Sequence, residues 1–211
     1  MNMHINENLK LKVPDTKERI IEVATGLFAD RGFEGASIRE IAKIAEVNLA
    51  AVNYHFSNKQ NLYHEVLRTG FVRFNTQISN LAREKVRTTA EFSQALYEML
   101  INNGPRLINN FKVLLNDFPF PPDLVQKDQA GPPGAEHLHA MLERELGKKL
   151  SEDDALWAVR IIFTFVTHTA LMASTHYGKQ NCCEAFGSKL VEQHLKRLVD
   201  SILLDLQTRT A

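Results

Sequence analysis

The chain has 211 residues, a hydrophobic share of 44%, and 25 Lys and Arg balanced by 25 Asp and Glu. That length and apolar content bury an adequate core in one large domain, or in a small domain joined to a medium one. A net charge of zero excludes a uniformly basic nucleic-acid binder, so any affinity for a polyanion must come from where the charges lie.

Met1 to Val13 is polar, with Asn2, His4, Asn6, Glu7, Asn8, Lys10 and Lys12, and Pro14 punctuates it. The composition predicts a flexible arm over residues 1–13 and no secretory leader. A minor-groove or phosphate role for Lys10 and Lys12 is the alternative to a plain tail. From Lys17 to Arg31, Ile20, Ala24, Leu27 and Phe28 recur at helical spacing, and Gly32 supplies a left-handed stop. Ser37-Ile38-Arg39-Glu40 has the form of a capping box, in which the hydroxyl accepts from the Glu40 amide and the Glu40 carboxylate reaches back. Ile38, Ile41, Ala42 and Ala45 then face inward. Glu46-Val47-Asn48 reads as a turn, because Asn48 is a good N-cap for the segment Leu49–Phe56. Two helices crossing at a three-residue turn make a helix-turn-helix, whose second helix reads a DNA groove. Lysines and arginines together equal the acids in number through the first sixty residues, yet no acid lies between Val47 and Gln60. A modest basic stripe and a shallow salt dependence are expected.

Over roughly Thr16 to Leu67 these residues resemble the DNA-binding domain of the TetR/AcrR family of transcriptional regulators. Leu27-Phe28-Ala29-Asp30-Arg31-Gly32-Phe33 is similar to the family's end of helix one, and Ser37-Ile38-Arg39-Glu40-Ile41-Ala42 to its second helix. Val52-Asn53-Tyr54-His55-Phe56, with Ser57-Asn58-Lys59 and Leu62-Tyr63, is similar to the recognition helix and the entry to helix four. Two positions depart from the pattern. Many members have glycine where Glu46 stands, and a non-glycine residue at positive φ costs about 1 kcal/mol; Asn53 stands where the family often has tyrosine. By position, Asn48, Leu49 and Ala50 open the recognition helix toward base edges and phosphate. Ala50 and Ala51 are small enough to meet a thymine methyl, and Asn53 suits a bidentate pair with adenine. Tyr54, His55 and Lys59, with Ser37 and Arg39 from helix two, are expected at phosphates; packing beside Phe56 is the other reading of His55. The domains are then an arm over 1–13, the reader over 14–60, and an effector-binding and dimerisation domain over 61–211.

Beyond the reader the chain reads as all-α, about nine helices in total. Asn58 to about Leu81 is one long helix with Leu62, Val66, Phe74, Ile78 and Leu81 inward. Thr89 to Asn103 and Pro105 to Asp117 follow. Phe118-Pro119-Phe120-Pro121-Pro122-Asp123 and Gly131-Pro132-Pro133-Gly134 bracket a loop with a short turn inside it, since each proline removes a donor and restricts the residue before it. Ala135 to Leu146 ends at Gly147. Ser151 then caps an apolar segment running to about Tyr177, in which Ala155, Leu156, Val159, Ile162, Phe163, Val166, Ala170 and Leu171 cover one face and Ile161, Phe165, Met172 and Ala173 much of the other. A helix apolar nearly all round is buried on two sides. A membrane span would place Arg160 and His168 in hydrocarbon without flanking anchors, so no membrane is expected. Glu184 to Leu206 is amphipathic.

The last two long helices, packed against their symmetry mates, form a four-helix dimer interface, expected at Phe163, Val166, Ala170, Leu190, His194, Leu198 and Ile202. The resemblance implies the same homodimer and an effector pocket in the helices between. Dimerisation places two recognition helices about 34 Å apart per DNA turn, so the target is a palindromic operator on double-stranded DNA. Phe92, Leu96, Met99, Leu107, Phe111, Leu114, Phe163, Thr167 and Leu171 either line a cavity for an apolar or amphipathic effector or are packed core. Arg106 or Arg160 suits a carboxylate ligand, and Arg160 could instead bridge to Asp153 or Asp154. His137 and His139 diverge, and His168 and His176 lie too far apart to share an ion, so no metal is expected. Cys182 and Cys183 are adjacent, a spacing that strains a mutual disulfide and suits the cytoplasm. No nucleotide loop, nucleophile elbow or zinc spacing is present, which argues against an enzyme and for no cofactor. The reading is a ligand-released repressor; an activator of the same fold, or a dimeric adaptor that does not bind DNA, are the alternatives.

Overall fold

The computed structural model describes residues 15–83, 87–115, 121, 124, 131–181 and 186–209. Those residues form ten α-helices and no strand. They fall into two compact units, divided between Val66 and Leu67.

The first unit holds α1 (Thr16–Gly35), α2 (Ile38–Ile44), α3 (Leu49–Phe56) and the opening turns of α4 (Lys59–Arg83). Ile20, Ala24 and Phe28 recur at i, i+4 and i+8 and are buried, so helical periodicity translates directly into a core stripe. Gly32 interrupts α1 with φ 70° and ψ 178°, and a last helical turn resumes as far as Gly35. The expected left-handed stop is therefore a corner in the mirror-extended region, which only glycine occupies without strain. Ser37 caps α2 through its hydroxyl, which accepts from the Glu40 amide at 3.2 Å. The other half of the expected box is replaced. Both Glu40 carboxylate oxygens accept from Arg31 Nη1 at 2.9 Å, because a guanidinium is a stronger partner than a backbone amide.

Asn48 caps α3 as expected, its Oδ1 accepting from the Ala51 amide at 2.7 Å. Closing the turn forces Glu46 to φ 54°, the left-handed conformation anticipated at the position where glycine is common. Glu46→Gly is expected to raise stability by about 0.5–1 kcal/mol, the relief of steric strain less the extra unfolded-state entropy of glycine. A higher urea midpoint with an unchanged slope checks it; a lower midpoint would show that Glu46 makes a contact outweighing its strain.

The second unit holds the rest of α4 with α5 (Thr89–Asn102), α6 (Gly104–Leu114), α7 (Ala135–Leu146), α8 (Glu152–Ser174), α9 (His176–Asn181) and α10 (Ser188–Thr208). Its core gathers Phe92, Leu96, Tyr97 and Leu100 from α5, Leu138 and Leu142 from α7, Ala158, Val159, Ile162 and Val166 from α8, and Val191, Leu195, Val199, Ile202 and Leu206 from α10. α8 is long and apolar enough to cross a membrane, with a mean hydropathy of 1.5. Its inner residues are instead packed on α5, α7 and α10, while Arg160, Thr164 and His168 are exposed. Thr175 breaks the expected continuation to Tyr177, and α9 brings the count of helices to ten where nine were expected. α10 begins at Ser188, and Glu184 lies outside the described residues, as do Lys10, Lys12, Asp117, Cys182 and Cys183. In the proline-rich loop the Leu124 amide donates to the Pro121 carbonyl at 3.0 Å, and most of the loop in which a short turn was expected lies outside the described residues.

Polar clasps tie the helix ends of this unit. Arg209 pairs with Asp154 at 2.7 Å and with Asp205 at 2.8 Å, and its guanidinium lies 4.9 Å from the Trp157 ring. Arg160 is therefore not the partner of Asp154. The Ser151 hydroxyl and then the Arg209 guanidinium hold the Asp154 carboxyl below its ordinary range. Tyr97 donates to the Phe186 carbonyl at 2.6 Å, and burial pushes its hydroxyl up to about 12.

Candidate nucleic-acid interface

α3 divides cleanly along its length. Val52 and Phe56, one turn apart, are buried and seat the helix, while Leu49, Ala50, Asn53 and Tyr54 face solvent. Leu49 is 39% and Tyr54 85% exposed, a large outlay of apolar surface for a helix with nothing to cover it. Ser37, Arg39 and Asn48 are exposed on the neighbouring helix start and turn. His55 is half-buried, its ring 5.3 Å from Tyr54 and 6.0 Å from Phe56, so it packs and reaches the surface at once. With its Oδ1 spent on the cap, Asn48 keeps its amide nitrogen as the group free to donate outward.

Lys59 is placed by contacts that sequence reasoning did not supply. Its ammonium stands 4.4 Å over the Phe33 ring and 3.4 Å from the Glu34 carbonyl, so the residue expected at a phosphate is pre-positioned by the last turn of α1. Lys17 is likewise held, donating to Glu65 at 2.6 Å. Both pairings, and that of Arg31 with Glu40, remove cations or acids from the free surface without changing the charge count. The exposed face of α3 itself carries no acid, and the nearest acids in sequence are Glu46 and Glu65. Backbone geometry supports the same surface at both ends: Glu46 precedes the helix and Ser57 follows it, each at positive φ.

The remaining site candidates lie in the second unit, and Phe92, Leu96, Met99 and Phe163 belong to its hydrophobic cluster. Phe92 and Leu96 are fully buried core residues; Met99, Phe111, Phe163, Thr167 and Leu171 are half-buried, and Leu114 is exposed. The Leu107 side chain lies outside the described residues. Of the residues expected between protomers, Val166, Ala170 and Ile202 are sealed in the protomer's own core and present nothing to a second chain. Phe163, Leu190 and Leu198 are half-buried and His194 is exposed, on the same two helices as the exposed Trp157 and Leu204. Among the described residues, no group of three or more His, Cys, Asp or Glu could hold a metal ion. His139 faces Glu143 at 3.3 Å.

The family described as bacterial regulatory proteins, tetR family, matches residues 20–66. The probable HTH-type transcriptional regulator YttP of Bacillus subtilis strain 168 is 35% identical over 89 residues, which are 40% of this chain and 42% of YttP. The biofilm operon icaADBC HTH-type negative transcriptional regulator IcaR of Staphylococcus aureus is 27% identical over 100 residues, 47% of this chain and 54% of IcaR. The chain thus spans about half the length of these relatives. In structure, the TetR family transcriptional regulator PfmR from Thermus thermophilus superposes with a TM-score of 0.57 over 90% of this chain and 97% of that one, at 19% identity. The likeness extends the shared fold across both units.

Proposed function

We propose that the chain, whose residues 20–66 match the tetR family of bacterial regulatory proteins, is a cytoplasmic, ligand-responsive repressor of that family that binds a palindromic operator as a homodimer. The observation that carries this reading is the outer face of α3. Leu49, Ala50, Asn53 and Tyr54 project together, without an acid among them, from a helix capped by Asn48 and seated by Val52 and Phe56. A face of that kind can approach the phosphates and then read base edges.

Two such faces are needed for a site of useful length, and we assign the dimer contact to α8 and α10. The contact uses Phe163, Leu190, His194 and Leu198 with the exposed Trp157 and Leu204, and leaves Val166, Ala170 and Ile202 to the protomer core. A dimer seated on promoter DNA excludes polymerase by occupancy, and an effector that favours a second arrangement of α4 releases it. IcaR, a negative regulator by name, supports the repressor sense.

Selection of duplexes from a random pool tests the reading: a two-fold symmetric sequence should be enriched. Enrichment of none would reduce the protein to a helical adaptor. Within the enriched site, Asn53→Ala is expected to relax preference at one base pair per half-site by about 1–3 kcal/mol, the value of a bidentate contact. Unchanged selectivity at every position would retire Asn53 as a base reader.

A further inference from the structure

We propose that a groove along the second half of α4 binds an amphipathic carboxylate, and that this ligand is the effector; the inference rests on the regulator reading and gives its ligand a chemical class. The groove is open to solvent along one side and offers about 460 Å³, a volume in the range of small-molecule sites. One end is apolar through Phe71 and Val72 from α4, and Leu124 is a further apolar residue of the lining. Val72 is 60% exposed, so a ligand tail laid there removes surface that the fold leaves wet.

The rest of the wall is polar and unspent. Asn75, Ser79 and Arg83 follow one another at four-residue intervals, which stacks them on a single ridge, and Asn80 lies beside them. None of these four side chains has a protein partner among the described residues, whereas the hydroxyl of neighbouring Thr76 is spent on the Val72 carbonyl at 2.8 Å. From Leu67 to Arg83 the helix carries three arginines and no acid, and the described lining holds no acid either. Among the described lining residues Arg83 is the one charged group, so a cation is repelled there and an anion is attracted, while Asn75, Ser79 and Asn80 each offer a donor. A guanidinium fork beside carboxamides suits a planar monoanion bound bidentately. Val72 and Arg83 are eleven residues apart, about 16 Å along the axis. The ligand that fits has a tail of several carbons, an amide or hydroxyl in the middle, and a terminal carboxylate.

N-octanoylglycine has that form and serves as the probe, titrated calorimetrically into the full chain alongside its methyl ester, which lacks the charge. Saturable binding of one probe per chain is expected. Arg83→Gln should weaken it at least tenfold, the ester should bind wild type and Arg83→Gln alike, and Val72→Glu should weaken both compounds. Each side chain is on the surface, so an unchanged thermal midpoint and helix content establish that the variants are folded. Absence of saturable binding at millimolar probe, or affinity untouched by Arg83→Gln, overturns the assignment. Duplex selection with the ligand-free protein is scored separately: symmetric enrichment without probe binding defeats the groove alone, and probe binding without enrichment defeats the regulator reading alone.

Discussion

Phe28→Ala is expected to leave the N-terminal unit largely unfolded at 25 °C while the second unit stays intact. Phe28 is fully buried, and its ring meets Tyr63 edge-on at 5.0 Å and Phe33 at 6.1 Å, with Phe33 and Tyr63 in turn 5.3 Å apart. This aromatic cluster joins α1, the turn beyond Gly32 and the first turns of α4. Truncating a buried phenylalanine costs about 3–5 kcal/mol, and a core of this size supplies only about that much in total. The loss is therefore comparable with the stability of the whole unit. Because the two units need not melt together, a single midpoint is a poor readout, and amide exchange resolves them. Protection of Leu49–Phe56 should collapse, protection of Ala155–Val166 should persist, and duplex binding should vanish with the former. Phe28→Leu, which keeps most of the volume, should cost about 1–2 kcal/mol and retain binding. Full protection of α3 in the alanine variant would show that Val52 and Phe56 seat the helix without this cluster.

The features legible from the chain were those set within a few residues. Ser37, Asn48 and Ser151 each accept an amide three residues on, so their hydroxyl or carboxamide marked the helix starts directly. Gly147 ends α7 at φ 66°, a conformation that few other residues take. Leu49–Phe56 was bounded in full for this reason. What was not legible depends on partners far along the chain. Glu40 had two plausible partners, its own helix start and Arg31, and only the crossing of α1 with α2 decides between them. Arg209 and Asp154 are 55 residues apart, and nothing local marks them as a pair.

Val166, Ala170 and Ile202 were placed on the dimer surface for a different reason. α8 is apolar nearly all round, so its pattern has no phase, and Val166 and Ala170 could not be told from residues on its outer face until α5 and α10 were placed against it. On α10 the pattern does have a phase, and it points Ile202 inward with Val191, Leu195, Val199 and Leu206 at intervals of three and four. There the periodicity identified the protomer's core stripe, whereas a dimer surface has to be sought among the residues that stripe leaves over.

Gly178→Ala is expected to open the corner where α8 gives way to α9 and to cost the second unit about 2–4 kcal/mol. A methyl group on Gly178 would lie 2.1 Å from the Met172 carbonyl oxygen, 3.0 Å from its carbon and 3.1 Å from the Ala173 Cα. All three are backbone atoms, so no side-chain rotation relieves the overlap, and the corner must move by about 1 Å to reach an ordinary carbon–oxygen separation. That movement works against a closed set of hydrogen bonds. The Thr175 hydroxyl donates to the Met172 carbonyl at 2.7 Å and accepts from the Gly178 amide at 3.0 Å, while the Thr175 amide also donates to Met172 at 3.2 Å. Overpacking contributes about 1–3 kcal/mol, and each bond lost adds about 1 kcal/mol. Gly26→Ala provides the contrast, since nothing lies within 4 Å of the added methyl in the middle of α1 and helix propensity should raise stability by about 0.5–1 kcal/mol. The two glycines should therefore shift their units' urea midpoints in opposite directions. A Gly178→Ala protein as stable as wild type, with the Thr175 amide still protected from exchange, would mean that α9 tolerates the displacement and that the corner is held by Thr175 rather than by close approach of the chain to itself.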